Sequence, residues 1–208
     1  MKKLLALLLA ALMVLSMAAC NEKKDDGTKP VYEDDLPPIT EERPSDELLN
    51  IPENALDVLN DVWALYGDDE KFPVMGGNPE GGVADGPAVY DKAYIEGLSM
   101  YLVVPETSLD DIDEAATMIH MMNANTFSCG VFKVINGVDT KAFADAMHTA
   151  ITNNQWMCGM PERLVIGAVS DGYVLVAFGV GDAMTPFCEK LSTAYPQMNT
   201  FYDEAIGG

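Results

Sequence analysis

The sequence is poor in basic residues. It has 12 lysines and arginines against 33 aspartates and glutamates, which gives a formal net charge of −21 at pH 7. A protein that binds nucleic acid needs a basic face for the phosphates, and binding to anionic lipid headgroups needs the same. We therefore expect no nucleic-acid partner and no electrostatic attraction to a membrane surface.

Residues for metal binding and nucleophilic catalysis are also scarce. There are two histidines and four cysteines, and none of them has the C-x2-C or H-x3-H spacing that is typical of zinc sites. The Gly-Lys-Ser/Thr phosphate loop, the G-x-S-x-G nucleophile motif and H-E-x-x-H are absent as well. The sequence therefore predicts no metal site and no cofactor, and it favours a protein that is not an enzyme.

The first twenty residues, MKKLLALLLAALMVLSMAAC, have the pattern of a secretory signal. Their apolar run is shorter than the roughly 20 residues that a membrane-spanning helix needs. Met17-Ala18-Ala19-Cys20 resembles a bacterial lipobox, in which the cysteine is acylated and becomes the new N-terminus. We predict a signal peptide over residues 1–19 and a lipid anchor, including palmitate-type acyl chains, on Cys20. The alternative is an ordinary signal peptide that is cleaved near a cysteine.

Residues 20–45 are rich in charge and proline and have few large apolar side chains. Such a segment buries too little surface to offset its ordering entropy. We predict a solvated, disordered acidic stalk that separates the membrane from a single folded domain over residues 46–208.

A glycine-rich segment follows the first predicted helix, whose apolar residues recur at helical spacing over residues 56–66. The stretch from 76 to 92 reads as a long ordered loop or a cluster of turns, and long loops within a compact domain are often functional. We therefore predict a binding loop with the candidate residues Gly76, Gly77, Gly81, Gly82, Asp85 and Gly86.

The remaining pattern alternates strands and helices. It predicts strands at 97–105, 126–135, 163–170 and 173–180, and helices at 108–122, 139–154 and 182–196. Asp171-Gly172 is a strong hairpin signal, and Pro186 is expected in the first turn of the last helix. We predict an α+β two-layer sandwich with a four-stranded, mainly antiparallel sheet and helices on one face. This is a ferredoxin-like variant, preceded by an N-terminal helix and the glycine-rich loop.

Two cysteines, Cys129 and Cys158, are each followed by glycine. A disulfide between them would close a loop of about 28 residues and stabilise the fold by roughly 3 to 4 kcal/mol on the chain-entropy model. The alternatives are buried thiols, or a reactive thiol at Cys158. Such a disulfide would leave Cys188 without a partner. The sequence does not determine the redox state of the three cysteines.

Several segments resemble an uncharacterised family of lipoproteins from Gram-positive, Firmicutes-type bacteria. They are the lipobox, the acidic stalk, MNANTFSCGVFKV, WMCGMPERLVIG and GYVLVAFG. The resemblance covers roughly residues 53–196. It implies a localisation and a fold, but no catalytic residues.

These observations favour a lipid-anchored protein on the extracytoplasmic face of the cell membrane. Its activity is expected to be non-catalytic binding or interaction with the cell envelope, with a protein or small-molecule partner. The alternative is an extracytoplasmic thiol, redox or peptide-export accessory protein that acts through Cys158.

Overall fold

The computed structural model describes residues 50–207, which belong to one compact unit, Pro44–Gly208. The predicted signal peptide, Cys20 and the stalk lie outside the described residues. Within residues 50–207, no helix has the length and apolar character that crossing a membrane requires.

The described chain contains four α-helices and eight strands. In chain order they are α1 (Ala55–Ala64), β1 (Val74–Gly76), β2 (Val83–Ala84), β3 (Ala88–Val89), α2 (Gly97–Tyr101), β4 (Ile112–His120), β5 (Phe127–Val134), α3 (Thr140–Thr152), β6 (Arg163–Ser170), β7 (Tyr173–Gly179), α4 (Gly181–Ala194) and β8 (Asn199–Ala205). Short 3-10 turns at Lys92–Tyr94 and Glu106–Asp111 flank α2.

All strands belong to one open antiparallel sheet. Seven of them follow the order β2-β1-β4-β5-β7-β6-β8, and β3 pairs with β4 beside this path. The predicted turn at Asp171-Gly172 joins β6 to β7, which are antiparallel neighbours. β7 lies between β5 and β6, so the strand order departs from the chain order at the centre of the sheet.

The central strands are buried on both faces. Along β7 all seven residues are buried, and successive side chains point to opposite faces of the sheet. Tyr173, Leu175 and Ala177 pack with α1 and α4. Val174, Val176 and Phe178 pack with α2 and α3. The sheet is therefore covered by two helices on each side, with a separate apolar core on each face.

This arrangement corrects the predicted fold. The α+β class agrees with the structure, but the four-stranded sheet and the single helical face are wrong. The sheet has eight strands, and helices cover both of its faces. The continuous apolar runs of β6 and β7 are typical of strands buried on both sides, so a second helical layer is needed to cover them.

Two segments have the opposite structure to the one predicted. Residues 97–105, predicted as a strand, contain α2. Residues 108–122, predicted as a helix, form the end of a 3-10 turn followed by β4. β4 contains good helix formers such as Ala115, Ala116 and Met118, but it is paired with β5 on one side and with β1 and β3 on the other. Pairing on both sides overrides the local preference.

Other predicted elements are confirmed. α1 begins after Asn54, whose side-chain oxygen accepts a hydrogen bond from the backbone N–H of Asp57 at 3.0 Å. α3 begins after Asp139, which caps the helix through the backbone N–H of Lys141 at 2.9 Å. α4 is also present, but Pro186 is its sixth residue rather than part of its first turn.

Candidate functional site

The glycine-rich segment is an ordered part of the sheet rather than a long loop. β2 and β3 lie within it and pair with β1 and β4. The hydroxyl of Thr117 accepts the backbone N–H of Gly77 at 3.0 Å and donates to the carbonyl of Gly77 at 3.1 Å. Because Thr117 is itself fully buried in β4, it fixes the start of the segment on the sheet.

Close backbone packing explains two of the predicted glycines. A Cβ atom on Gly76 would lie 2.2 Å from the backbone nitrogen of Ala88, and one on Gly82 would lie 2.8 Å from the carbonyl oxygen of Gly76. Any larger side chain at these positions would push the short strands apart.

Asp85 also serves the packing of the segment. It has a left-handed backbone with φ of 61°, and its N–H donates to the carbonyl of Val74 at 2.8 Å. Its carbonyl accepts the indole N–H of Trp63 at 3.2 Å. The segment is thus held to α1 as well as to the sheet.

A pocket lies where this segment meets the turn after β4, and we call it the glycine-loop pocket. Its volume is about 280 Å³. Its wall is formed by Met75, Gly77, Pro79, Tyr101, Ile119, His120, Met121, Met122, Asn123 and Ala124. Of the six predicted loop residues, Gly77 alone is in this wall.

The wall of the glycine-loop pocket is mainly apolar, and none of the described residues that form it is a lysine, arginine, aspartate or glutamate. Its polar side chains are those of Tyr101, His120 and Asn123. The Nδ1 atom of His120 accepts backbone N–H groups from Met122 at 3.2 Å and Asn123 at 3.4 Å. In neutral His120 the proton is therefore assigned to Nε2. The ring stacks on Phe72 at a centroid distance of 6.1 Å, which holds it in place. The pocket suits an apolar group that carries a hydrogen-bond acceptor.

Most of this wall was not predicted from the sequence, because residues 119–122 belong to the helix predicted at 108–122. Asn123-Ala124-Asn125 is a turn signal that directly follows an apolar run. It marks the end of β4 and could have placed His120 beside a turn. The approach of β1 to β4, which pairs Met75 with Ile119, has no comparable signal in the sequence.

The turn after β4, at Asn123-Ala124-Asn125, also holds the loop that carries Cys158. The side chain of Asn123 donates to the carbonyl of Cys158 at 2.9 Å. The side chain of Asn125 donates to the carbonyls of Met157 and Gly159, both at 2.7 Å. Cys158 is exposed and has a left-handed backbone with φ of 63°, an uncommon conformation for a non-glycine residue.

The predicted Cys129–Cys158 disulfide is not formed in the structure. Cys129, Cys158 and Cys188 are all free thiols. Cys129 is fully buried in β5, on the face that packs with α1 and α4, whereas Cys158 is on the surface. Burial, and to a smaller extent the nearby Cys188, raises the pKa of the Cys129 thiol well above its ordinary value. Cys129 is therefore a small apolar core residue.

The second histidine lies in a polar cluster between α3 and β8. Nε2 of His148 is 2.6 Å from Oε1 of Glu204, and its ring stacks on Tyr202 at 3.9 Å. The Tyr202 hydroxyl and Lys141 both bind Asp145, and these hydrogen bonds lower the pKa of the Asp145 carboxyl. These side chains bind one another and join α3 to the edge strand.

Metal-binding groups do not converge in the part of the chain that the structure covers. Between residues 50 and 207, no three histidine, cysteine, aspartate or glutamate side chains are placed to hold a metal ion.

Comparison of the chain with protein-family models, with curated proteins and with solved structures found no match. The resemblance to Gram-positive lipoproteins therefore stays a prediction from the sequence.

Proposed function

We propose that this protein is a lipid-anchored extracytoplasmic lipoprotein that binds a partner or small molecule without catalysis. The anchor is Cys20, and the binding site is the glycine-loop pocket. The observation that carries the proposal is the pocket itself, which is mainly apolar and whose Gly77 backbone is held by the buried hydroxyl of Thr117.

The pocket has the features expected of a recognition site. Its apolar wall favours burial of a hydrocarbon or aromatic group, and His120 offers one N–H donor to orient it. Within residues 50–207, the wall contains no aspartate, glutamate, lysine or cysteine, and its titratable side chains are those of His120 and Tyr101. These features support binding rather than a reaction at this site.

Acetophenone is a suitable probe, because it has an aromatic ring and one carbonyl acceptor. We expect saturation-transfer NMR to detect its ring protons on the full-length chain. Ala124→Phe places a ring at the pocket wall and should lower this signal several-fold. Ala205→Phe, at an exposed position on β8, is the matched control and should leave it unchanged. Equal signals from the chain and both variants would show that the pocket is not the binding site.

We propose a thiol function at Cys158 as the second candidate. The observation that favours it is an exposed cysteine in a loop whose carbonyls are held by Asn123 and Asn125. Such a thiol is accessible to an extracytoplasmic redox or export partner.

A further inference from the structure

A second depression adjoins the glycine-loop pocket. The two share Pro79 and Tyr101 as a common wall. The second has a volume of about 530 Å³. Its other lining residues are Glu80, Tyr90, Ala93, Tyr94, Ile95, Glu96, Gly97 and Met100. We call it the tyrosine–glutamate depression.

The chemistry of this depression favours a cation. Glu80 and Glu96 are exposed carboxylates, and among the described residues neither depression is lined by a lysine or arginine. Tyr94, which is exposed, and the half-buried Tyr101 add aromatic rings, whose faces attract ammonium and guanidinium groups. The Tyr90 hydroxyl donates to the carbonyl of Tyr94 at 3.2 Å, which ties the two tyrosines together.

The two depressions together define a ligand with two unlike parts. The glycine-loop pocket is mainly apolar and has no carboxylate, lysine or arginine among the described residues of its wall. The tyrosine–glutamate depression is lined by two carboxylates and three tyrosines. Because they share a wall, a ligand that fills both must carry its apolar and cationic groups close together. A net charge of −21 also favours the approach of cationic partners over anionic ones.

We propose that this surface binds a short cationic peptide in which a large apolar residue lies next to a lysine or arginine. The apolar side chain occupies the glycine-loop pocket, and the basic group occupies the tyrosine–glutamate depression. This inference rests on the proposed binding function and names the class of its ligand. Neighbouring residues of a peptide supply the two groups at the required short separation.

Isothermal titration with three peptides tests the inference on the full-length chain. The probes are acetyl-Gly-Leu-Lys-Gly-amide, its Lys-to-Gln analogue and its Leu-to-Gly analogue. We expect the Leu-Lys peptide to bind about tenfold more tightly than either analogue, which corresponds to about 1.4 kcal/mol for each lost group. High salt should weaken the lysine peptide more than the glutamine peptide, because the carboxylates are exposed.

Paired substitutions locate the cation. Glu80→Gln with Glu96→Gln should remove the preference for lysine over glutamine and leave the affinity for the glutamine peptide unchanged. Glu189→Gln, which removes one exposed carboxylate from α4, is the control and should keep the preference. Circular dichroism of each variant checks that the fold is retained.

The outcomes separate this inference from the proposed function. Equal affinity for the lysine and glutamine peptides would overturn the inference while acetophenone binding still supports the pocket. Loss of both peptide and acetophenone binding would overturn the two together. If phosphatidylcholine vesicles bind with the same dependence on Glu80 and Glu96, the ligand is a lipid headgroup and the peptide inference is wrong.

Discussion

Three polar side chains, Thr117, Asn123 and Asn125, hold backbone groups in or next to the glycine-loop pocket. Thr117 binds both backbone groups of Gly77 from a buried position in β4. The two asparagines bind the loop that carries Cys158 from the turn after β4. Loss of the partner of a buried hydroxyl such as that of Thr117 costs about 1–3 kcal/mol, so Thr117 contributes to the shape of the site although it does not line it.

The cysteines give a prediction at the residue scale. Iodoacetamide reacts with the thiolate, and Cys158 is exposed whereas Cys129 is fully buried. Burial raises the pKa of the Cys129 thiol, and burial also raises the pKa of the half-buried Cys188 thiol. Under native conditions we expect labelling of Cys158 first, Cys188 more slowly and Cys129 only after unfolding, as measured by mass spectrometry of peptide fragments.

Cys158→Ser should remove the rapidly labelled fraction and leave the other two sites unchanged. A gain of two hydrogen atoms on reduction of the native chain would instead reveal a disulfide that the structure does not contain. Labelling of Cys158 much faster than that of an ordinary thiol at neutral pH would favour the thiol function.

Residue-level prediction from the sequence succeeded where a local rule decides the outcome. The turn at Asp171-Gly172 depends on neighbouring residues, and it is present. The glycine-loop pocket, in contrast, depends on the pairing of strands that are far apart in the sequence. Gly77 was predicted as a binding residue because of its glycine-rich surroundings, whereas His120 was not, since its position beside Gly77 follows from β1 pairing with β4.

At the scale of elements, Pro186 offers a test of α4. In a regular helix the N–H of residue 186 would donate to the carbonyl of Asp182, and proline cannot make this bond. Pro186→Ala restores the donor, and we expect it to stabilise the protein by about 2 kcal/mol. The greater conformational freedom of the unfolded chain without proline reduces this stabilisation slightly. Urea denaturation measures the change.

Thr185→Ala changes the preceding exposed residue without affecting a backbone donor, and it should shift the unfolding midpoint much less than Pro186→Ala. Destabilisation by Pro186→Ala would mean that packing of the proline ring, which is half-buried, outweighs the lost hydrogen bond.

The elements that the sequence predicted wrongly are those whose partners lie far away. β4 reads locally as a helix because it contains alanine, glutamate and methionine, yet three strands pair with it. β8 follows Pro196, is mostly exposed and carries Asp203 and Glu204 near its end, so it lacks the alternating apolar pattern that predicts a strand. α3, β6 and β7, whose patterns are strong, were predicted correctly.

For the whole molecule, the proposed lipid anchor makes a direct prediction. We expect Cys20→Ala to release the protein from the membrane fraction or to leave it unprocessed. Acyl chains on Cys20 supply the binding free energy, at about 0.8 kcal/mol for each buried methylene, and the acidic chain has no electrostatic attraction to anionic lipid. Fractionation with immunoblotting measures the distribution.

Cys158→Ser is the matched cysteine control and should stay in the membrane fraction. A processed Cys20→Ala protein that still sediments with membranes would contradict the anchor.

The position of β7 between β5 and β6 has a consequence for the order of folding. β6 and β7 are joined by a two-residue turn, so their hairpin closes a short loop and forms quickly. β5 pairs with β7 across an intervening helix and strand, as in the contact between Phe127 and Gly179. During synthesis the apolar edge of β5 has no partner until β7 emerges, and an unpaired edge of this kind is a site of aggregation. We therefore expect the nascent chain to be prone to aggregation in the interval between the synthesis of β5 and that of β7.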